Sequence, residues 1–337
     1  MSTIDSARTE AANAALETFP RVDLGEWPTP VEPFAGLDAP GAERIWIKRE
    51  DLASPRYGGN KVRKLEHLLA VGSGPLVAFG GLGSHHVLAT AVHAAALGRE
   101  CFGVLAEQPM TAHTAAVLAL NEGSCAGILR WRRPRATLGV IGRFAERIAS
   151  GAGGSPSPPR VLFPGGSSPT GTLGWVGGGL ELAAQIAASA CPVPDEIYVA
   201  YGSGGTAVGL ALGLALAGVR SEVVAIRVAT RLAGNYSYAD LLARRTFALL
   251  AARADLGPLP QLRLRIEHAF AGPGYGHPTA AAEGAIRRAR ASAASLETTY
   301  TGKALAALLA AAGDGRTRMF LDTYSSIDKL KAARASE

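Results

Sequence analysis

Short apolar runs alternate with longer, alanine-rich segments along most of the chain. Each run has the length of a strand and several end in glycine; the clearest are Arg44–Lys48, Pro75–Gly81, Cys101–Ala106, Val161–Gly166, Glu196–Gly204 and Glu222–Val228. Helical segments lie between them, among them Ser84–Leu97, Trp175–Ser189 and Thr206–Leu216. The order strand, glycine turn, helix predicts βαβ units. Continuously apolar strands further predict parallel sheets that are covered on both faces.

The composition allows a large hydrophobic core. Of 337 residues, 48% are hydrophobic and 18% are charged, which argues against a disordered chain. The length favours two domains. A stretch rich in glycine, serine and proline at Ser150–Arg160 predicts a loop, which marks either a domain boundary or a surface excursion.

Several classes of protein are disfavoured. Cys101, Cys125 and Cys191 are odd in number and form no C-x-x-C, which argues against a disulfide framework or a zinc site. The segment "MSTIDSARTE" has no apolar signal region, and the most apolar tract, Gly209–Val219, is too short to span a bilayer. We therefore expect a cytoplasmic protein with no membrane partner. The net charge is only +6 and the basic cluster Arg130–Arg135 has no recognition motif beside it, so no nucleic-acid partner is expected.

The stretch "YGGNKVRKLE" (Tyr57–Glu66) places a lysine at the predicted start of a helix. Its glycines allow a close backbone approach, and Asn60 is a favourable N-cap. Lys61 then falls in the first turn, where the helix macrodipole does not support a positive charge. Lys61 is either a surface lysine after a turn or a lysine held for chemistry. Lys64 shares the helix face and is a competing candidate.

A second glycine turn, "YGSGGTAVGL" (Tyr201–Leu210), follows an apolar strand and opens a helix. Its glycines let backbone N–H groups converge, and two hydroxyls can add donors. Such a helix N-terminus is typical of an anion site, usually for phosphate. The turn matches neither a Walker loop nor a dinucleotide fingerprint. The alternative is a tight turn that binds no ligand. The residues of this turn are Gly202, Ser203, Gly204, Gly205 and Thr206.

A third turn, within Phe79–Gly98, places Ser84, His85 and His86 at another helix N-terminus. Free amides there would suit a carboxylate, although Ser84 can also serve as a simple N-cap. With His93, the histidines raise the question of a metal. Adjacent histidines in one helical turn point in different directions and no acidic ligand is near in sequence, so no metal site is expected.

Two tyrosines lie in further glycine turns. Tyr275 is at the centre of "AGPGYGHPT", and Tyr300 and Thr301 precede a helix in "TTYTGKALAALLAA". The tyrosines either pack loops or form active-site walls, and we favour walls. A lysine, a phosphate cradle, an anion pocket and tyrosines are together what pyridoxal phosphate requires: a lysine for its aldehyde and a cradle for its phosphate.

The sequence resembles a known family at this point. "IKREDL" followed by "GGNKVRKLE" is similar to the signature of the 1-aminocyclopropane-1-carboxylate (ACC) deaminase and D-cysteine desulfhydrase family. "GSGGTAVGL", "GPGYGHPT" and "YTGKA" resemble later motifs of the family, in the same order, so that the resemblance covers most of the chain.

The resemblance implies an α/β fold of the tryptophan-synthase-β type, with two domains, parallel-sheet cores and usually a homodimer. Residues 1–63 and 165–337 would form the larger domain, which cradles the cofactor. Residues 64–164 would form the smaller domain, which carries the Ser84 turn.

The resemblance also implies roles for individual residues. Lys61 would form the Schiff base with pyridoxal phosphate and, once released by the substrate, act as the base. Gly202–Thr206 would hold the phosphate, while Ser84 and its neighbours His85 and His86 would receive the substrate carboxylate. Tyr275 and Tyr300 would flank the reacting carbon. The remaining expected cofactor contacts are Asn60, His85, Thr301 at the pyridine nitrogen, and Thr323.

Two departures from the family pattern affect this site. His85 stands where the family usually has an asparagine that bonds the phenolic oxygen of the cofactor; histidine can donate the same bond but can also titrate near neutral pH. In "DTYSS", Thr323 keeps the place of a family threonine, but Tyr324 and Ser325 replace two glycines.

The implied function is a β-elimination on a small amino acid, with D-cysteine, converted to pyruvate, sulfide and ammonia, as the first substrate. The alternatives are ACC deamination, a β-replacement or lyase reaction of a specialised pathway, and a relative that binds the cofactor without turnover. In the family, an acidic residue at the position of Thr301 accompanies ring opening and threonine accompanies D-cysteine desulfhydration. Thr301 therefore favours the elimination.

Overall fold

The computed structural model describes residues 4–131, 157–230 and 234–325 and has an α/β fold. Its strands are β1 (Val31–Pro33), β2 (Ile45–Arg49), β3 (Leu76–Gly81), β4 (Cys101–Ala106), β5 (Gly127–Trp131), β6 (Arg160–Leu162), β7 (Glu196–Tyr201), β8 (Glu222–Arg227), β9 (Leu264–Glu267) and β10 (Arg318–Asp322). Its helices are α1 (Ser6–Glu17), α2 (Lys61–Leu69), α3 (His85–Ala96), α4 (Ala112–Ser124), α5 (Pro169–Ala187), α6 (Gly205–Leu216), α7 (Tyr236–Ala251), α8 (Ala280–Arg288) and α9 (Thr301–Ala311).

The larger sheet has six strands in the order β1-β2-β10-β7-β8-β9, all parallel except for β1. Alternate residues of its strands enter two separate cores. Ile197 and Val199 of β7 pack on the side of α5, α6 and α7, whereas Tyr198 packs on the side of α8 and α9. The predicted coverage of both faces is therefore confirmed for this sheet.

The smaller sheet has four parallel strands in the order β5-β4-β3-β6. Its main core is built with apolar side chains of α2, α3 and α4, such as Leu65, Leu88 and Val117. All four of its strands lie within residues 64–164. The domain boundaries themselves stay a prediction.

The sequence located six strands and three helices, but some ends differ in the structure. The strand predicted at Val161–Gly166 ends at Leu162, and Pro164–Gly166 form a 3-10 turn. The strand predicted at Glu196–Gly204 ends at Tyr201, since Gly204 has a φ of +86°. Helix α5 begins six residues before the predicted Trp175, because Ser168 caps it and Pro169 occupies its first turn.

Two further sequence-based expectations lie mostly outside the described residues: the loop at 150–160, of which only residues 157–160 are described, and the basic cluster at 130–135, of which only 130 and 131 are described. Within the described ranges, no helix combines the length and the apolarity that crossing a membrane would require.

The topology brings the predicted turns together. β3 runs into the Ser84 turn, β7 into the Gly202–Thr206 turn, and β10 into Thr323 and Tyr324. In parallel α/β sheets, ligands bind at the carboxyl ends of strands. The six-stranded and four-stranded sheets therefore present their loops to one shared cavity.

Candidate active site

One cavity of about 320 Å³ collects nearly all of the residues that the sequence singled out. This volume is within the usual range for small-molecule sites. The predicted residues that line it are Asn60, Lys61, Ser84, His85, His86, Gly202, Ser203, Gly204, Thr206, Tyr275, Tyr300, Thr301 and Thr323. Gly205 is not among the lining residues, but its backbone belongs to the same turn. The roles assigned to these residues stay predictions.

Lys61 is the first residue of α2, as expected, and its side chain is fixed by its neighbour. Its Nζ donates to Asn60 Oδ1 at 2.8 Å, and Asn60 Nδ2 donates to Thr206 Oγ1 at 2.9 Å. Asn60 precedes the helix but its side chain does not cap it, because both ends of the amide are used in these bonds. Gly59 has a φ of +85°, and a Cβ there would lie 2.8 Å from the Thr323 carbonyl oxygen. Glycine is therefore required before Asn60.

Burial lowers the pKa of Lys61 to about 8, and the charge of Glu297 opposes part of this shift. At pH 7 an amine with this pKa is neutral in about a tenth of the molecules, far more often than an exposed lysine. A neutral amine is the form that attacks an aldehyde or removes a proton. Lys61 therefore has the environment of a reactive lysine.

The turn after β7 leads into the N-terminus of α6, and its residues Gly202, Ser203, Gly204 and Thr206 line the cavity. A Cβ on Gly204 would lie 2.7 Å from Tyr201 Oη, and one on Gly205 would lie 2.6 Å from Ser167 Oγ. Ser167 Oγ accepts the Gly205 N–H at 3.0 Å and lies 2.8 Å from Ser203 Oγ. Glycines, hydroxyls and a helix N-terminus together suit a phosphate.

Lys64 belongs to the same cradle, a role that the sequence analysis missed. Its Nζ donates to the Gly165 carbonyl at 3.0 Å and to Ser167 Oγ at 3.1 Å. The side chain is buried and has no ion pair within the described residues. Burial and the nearby Lys61 lower the pKa of Lys64 well below the usual lysine value. A buried amine that lacks a carboxylate partner is suited to receive an anion from outside the chain.

The Ser84 turn lies across the cavity, at the start of α3. Ser84 caps the helix, with its Oγ accepting the Val87 N–H at 3.2 Å, so the simple capping role is present. Burial, with Lys61 and Lys64 nearby, lowers the pKa of His86 to about 3 and keeps that ring neutral. His93 does not join a metal set, because its Nε2 bonds the Tyr57 carbonyl. No cluster of three metal-binding side chains occurs among the described residues.

His85 uses both ring nitrogens within the protein. Nδ1 lies 2.5 Å from Tyr57 Oη, and Nε2 lies 3.0 Å from His113 Nε2. The expected bond to the phenolic oxygen of a cofactor would therefore require one of these nitrogens to exchange its partner. That contact stays a prediction.

Tyr275 and Tyr300 meet as a pair. Their hydroxyl oxygens are 2.6 Å apart and their rings are T-shaped. Burial raises the pKa of both phenols, so both are protonated at neutral pH. Because one hydroxyl donates to the other, the pair leaves a single O–H free for a ligand.

Glu297 organises the turn before α9, which the sequence analysis did not anticipate. Its Oε1 accepts the N–H groups of Tyr300 and Thr301 at 2.7 and 2.9 Å, and its Oε2 accepts the Thr299 N–H at 2.6 Å. The Thr301 hydroxyl accepts the Glu297 N–H at 3.0 Å. A carboxylate at a helix N-terminus is favoured by the macrodipole. This carboxylate therefore fixes the positions of Tyr300 and Thr301.

The residues after β10 close the cavity. The Thr323 carbonyl accepts the Asn60 N–H at 3.1 Å. Tyr324 is buried, with its ring nearly perpendicular to that of His85 and the two ring centroids 5.0 Å apart, and Ser325 is buried beside it. Two of the positions that depart from the family pattern, His85 and Tyr324, are therefore in contact with each other.

Comparisons with known proteins agree with this geometry. The family model described as "Pyridoxal-phosphate dependent enzyme" matches residues 22–318. A D-cysteine desulfhydrase of Klebsiella pneumoniae (strain 342) is 32% identical over 302 residues, which cover 87% of this chain and 89% of that protein. A crystal structure described as an ACC deaminase homologue has a TM-score of 0.76 and 27% identity, and the match covers 96% of this chain and 98% of that one.

A more distant solved structure supports the fold alone. The processed form of threonine deaminase isoform 2 from Solanum lycopersicum has a TM-score of 0.59 and 14% identity, with 99% of this chain and 94% of that chain covered.

The chain belongs to the pyridoxal-phosphate dependent enzymes. Within them it is a lyase of the ACC deaminase and D-cysteine desulfhydrase type, with the tryptophan-synthase-β-like fold. The expected family, fold and cofactor are therefore confirmed.

The residues of the cavity fit this cofactor. The Gly202–Thr206 turn and Lys64 would hold its phosphate, and Lys61 would be the amine that binds its aldehyde. When bound, pyridoxal phosphate supplies an electron sink that stabilises negative charge at the substrate Cα.

Proposed function

We propose that the protein is a deaminating lyase that removes a β-substituent from a small amino acid, with D-cysteine as its first substrate. The products would be pyruvate, sulfide and ammonia. The observation that carries this proposal is that a threonine, Thr301, stands at the family position for the pyridine nitrogen. Glu297 is the only carboxylate that lines the cavity within the described residues, and three backbone N–H groups occupy its oxygens. The family position for the pyridine nitrogen therefore offers a hydroxyl rather than a free carboxylate.

The consequence of Thr301 is electrostatic. A carboxylate beside the pyridine nitrogen would raise the pKa of that nitrogen and strengthen the electron sink. A hydroxyl gives less such support. A thiolate is a good leaving group and needs less help than the opening of a carbon ring. Thr301 therefore favours elimination of sulfur, or of a similar group, over ring opening.

The other residues have roles that follow from their positions. The Lys61 amine would remove the Cα proton, and the N–H groups at the start of α3, with Ser84, would hold the substrate carboxylate. The free hydroxyl of the Tyr275–Tyr300 pair would donate to the substrate at the reacting end. The turn after β7 would fix the phosphate, so that the reacting atoms stay beside Lys61.

ACC deamination is the second candidate, and the similarity to a structure described as an ACC deaminase homologue favours it. A β-replacement reaction or a binding role without turnover stays open as well, since Tyr324 and Ser325 alter the family pocket. The presence of Lys61, with its lowered pKa, favours an enzyme over a binding protein.

The experiment is a substrate panel on the purified holoenzyme. D-Cysteine, L-cysteine, β-chloro-D-alanine and ACC are compared by release of ammonia and of 2-oxo acid, with Lys61→Ala as the blank. We expect the highest kcat/KM for D-cysteine or β-chloro-D-alanine. A higher kcat/KM for ACC would overturn the argument from Thr301. No ammonia from any of the four would exclude the proposed elimination.

We also propose that the enzyme is a homodimer, as the family resemblance implies, and that it is cytoplasmic, as the sequence pattern predicts. Light scattering on the eluting protein should give twice the chain mass of 34.7 kDa. A mass equal to one chain would contradict the dimer.

A further inference from the structure

We propose that Tyr57, His85 and His113 form a proton relay, which leads from the cavity wall to the partly exposed helix α4. In this relay Tyr57 is the inner end and His113 is a positioning residue at the outer end. The inference rests on the proposed function, because a deaminating elimination must move protons to and from the reacting atoms in the cavity.

The geometry is a continuous hydrogen-bonded chain. Tyr57 Oη lies 2.5 Å from His85 Nδ1, and His85 Nε2 lies 3.0 Å from His113 Nε2. Tyr57 and His85 line the cavity with Lys61, whereas His113 does not line it. Tyr57 is buried and His113 is only half-buried. The chain therefore connects the reactive lysine's surroundings with a helix on the flank of the smaller sheet.

The two imidazoles are held in place by ring contacts. The His85 and His113 rings are stacked, with centroids 5.2 Å apart. The Tyr324 ring makes T-shaped contacts with both of them, with centroid separations of 5.0 and 5.8 Å. Tyr324 and His85 are two of the positions that depart from the family pattern, and both belong to this cluster.

The chemistry of the bonds defines the relay. An Nε2···Nε2 bond contains one hydrogen, so His85 and His113 must be opposite tautomers when both are neutral. Burial, with His113 and Lys61 nearby, lowers the pKa of His85 well below its usual value and keeps it neutral. A neutral imidazole with a partner on each nitrogen can accept a proton at one side and release one at the other.

The proton balance of one passage is simple. One proton from solvent binds His113 at Nδ1, and the Nε2–H of His113 passes to Nε2 of His85. The Nδ1–H of His85 then passes to the Tyr57 oxygen, and the phenolic proton of Tyr57 passes to the departing β-substituent. One proton enters and one leaves, no group is oxidised or reduced, and both rings end as the other tautomer.

The first test needs no turnover. Nitrogen-15 NMR of the histidine rings in the holoenzyme should show His85 and His113 as opposite neutral tautomers. Tyr57→Phe keeps the ring but removes the hydroxyl, and it should shift the His113 nitrogens although His113 does not touch Tyr57. Equal tautomers, or His113 signals that ignore Tyr57→Phe, would overturn the relay. Because this readout is independent of the reaction, it stands whether or not the proposed function does.

The second test uses whichever substrate the panel shows to be turned over. His113→Ala should lower kcat by on the order of 100-fold, the lower end of the range for acid–base catalysis. The variant should keep the absorbance of bound cofactor and lose the multi-proton solvent isotope effect of the parent. Added imidazoles should restore the rate in the order of their pKa values and not of their sizes. Tyr57→Phe should lower kcat without rescue.

The matched control is Glu122→Gln, which removes a titratable group from α4 at its exposed ion pair with Arg130. It should leave kcat and the isotope effect unchanged. If His113→Ala keeps the parent's rate, or if rescue follows size alone, His113 only packs the cavity wall and the relay is wrong.

Discussion

The two sides of helix α2 hold buried basic side chains with different partners. On the side away from the cavity, Arg63 binds Glu50 and Glu181 at 2.8 Å each and lies over the Trp27 ring at 3.8 Å. Lys48 completes the cluster, with its Nζ 2.6 Å from Glu181. On the cavity side, the hydrogen bonds that Lys61 and Lys64 make within the described residues go to amide, carbonyl and hydroxyl oxygens.

We interpret this difference as one of function. The basic residues on the Arg63 side stabilise the fold, whereas those on the cavity side are kept for a ligand. A buried charge is tolerated when an opposite charge and hydrogen bonds compensate it. The Arg63 side is compensated within the chain. Lys61 and Lys64 have no carboxylate contact of this kind within the described residues, and burial lowers the pKa of both amines. Burial also lowers the pKa of Lys48, so the two sides differ in their carboxylate partners and not in the direction of the shift. We expect the aldehyde and the phosphate of the cofactor to be the missing partners of Lys61 and Lys64.

The largest expected effect is at Lys61. Lys61→Ala should remove all turnover and the visible absorbance of covalently held cofactor, because we expect Lys61, rather than Lys64 in the same cavity, to bind the aldehyde. The measurement is the absorbance spectrum, followed by borohydride reduction and mass spectrometry. Labelling that persists at Lys64 in the variant would show that the wrong amine was chosen.

Arg63→Met tests the side of α2 on which the buried charges are paired within the chain. Among the described residues, this change leaves Lys48 as the one cation beside Glu50 and Glu181. Removing one partner of a buried ion pair costs about 3–5 kcal/mol. Chemical denaturation of the cofactor-free protein should show a loss of this size in the free energy of unfolding. A loss below about 1 kcal/mol, the level of an exposed ion pair, would show that the cluster contributes little to the stability of the fold.

Replacing both Ser203 and Thr206 with alanine tests the expected phosphate-binding turn on the cavity side. Charge-assisted hydrogen bonds are worth roughly 1.5–3 kcal/mol each, so cofactor affinity should fall by at least tenfold. Titration of the cofactor-free protein measures it, with a thermal melt to confirm that the fold persists. Unchanged affinity would move the phosphate away from this turn.

The smallest effect is a pH dependence of Lys61 in the cofactor-free protein. Its pKa is lowered from 10.5 to about 8, so its reactivity should rise as the pH passes through 8. Modification by acetic anhydride, followed by mass spectrometry, gives the midpoint, with N-acetyl-lysine as reference. A midpoint near 10.5 would show that burial does not activate this lysine.

The same pKa difference predicts a pH dependence of stability. Between pH 8 and 10.5 the unfolded chain binds more protons at Lys61 than the folded chain does, so the free energy of unfolding should rise over this range.

The sequence predicted the parts of this molecule that local patterns determine. Apolar runs located β3, β4, β7 and β8, and glycine turns located Lys61 and the cradle, because turn geometry is set by adjacent residues. Strand β10 was missed although all its residues are buried. Its short apolar run has no glycine turn and no long alanine-rich segment after it.

Contacts between distant residues were not accessible to such patterns. Lys64 reaches Ser167 across 103 positions of the chain, and His85 reaches His113 across 28. Glu297 is closer to its partners, but a glutamate before Thr-Thr-Tyr is not distinctive by itself. Serine is a typical N-cap and proline a typical first-turn residue, so Ser168 and Pro169 could have located the start of α5.

The most direct test compares Lys64→Met with Arg63→Met in the free energy of unfolding, with and without cofactor. If the cavity-side charge is kept for the phosphate, Lys64→Met should cost the cofactor-free protein less than about 1 kcal/mol. The same variant should lose about 1.5–3 kcal/mol of the stabilisation that bound cofactor gives. Arg63→Met should show the reverse, with its loss present in the cofactor-free protein. If Lys64→Met destabilises the cofactor-free protein as much as Arg63→Met does, Lys64 serves the fold and the distinction between the two sides of α2 is wrong.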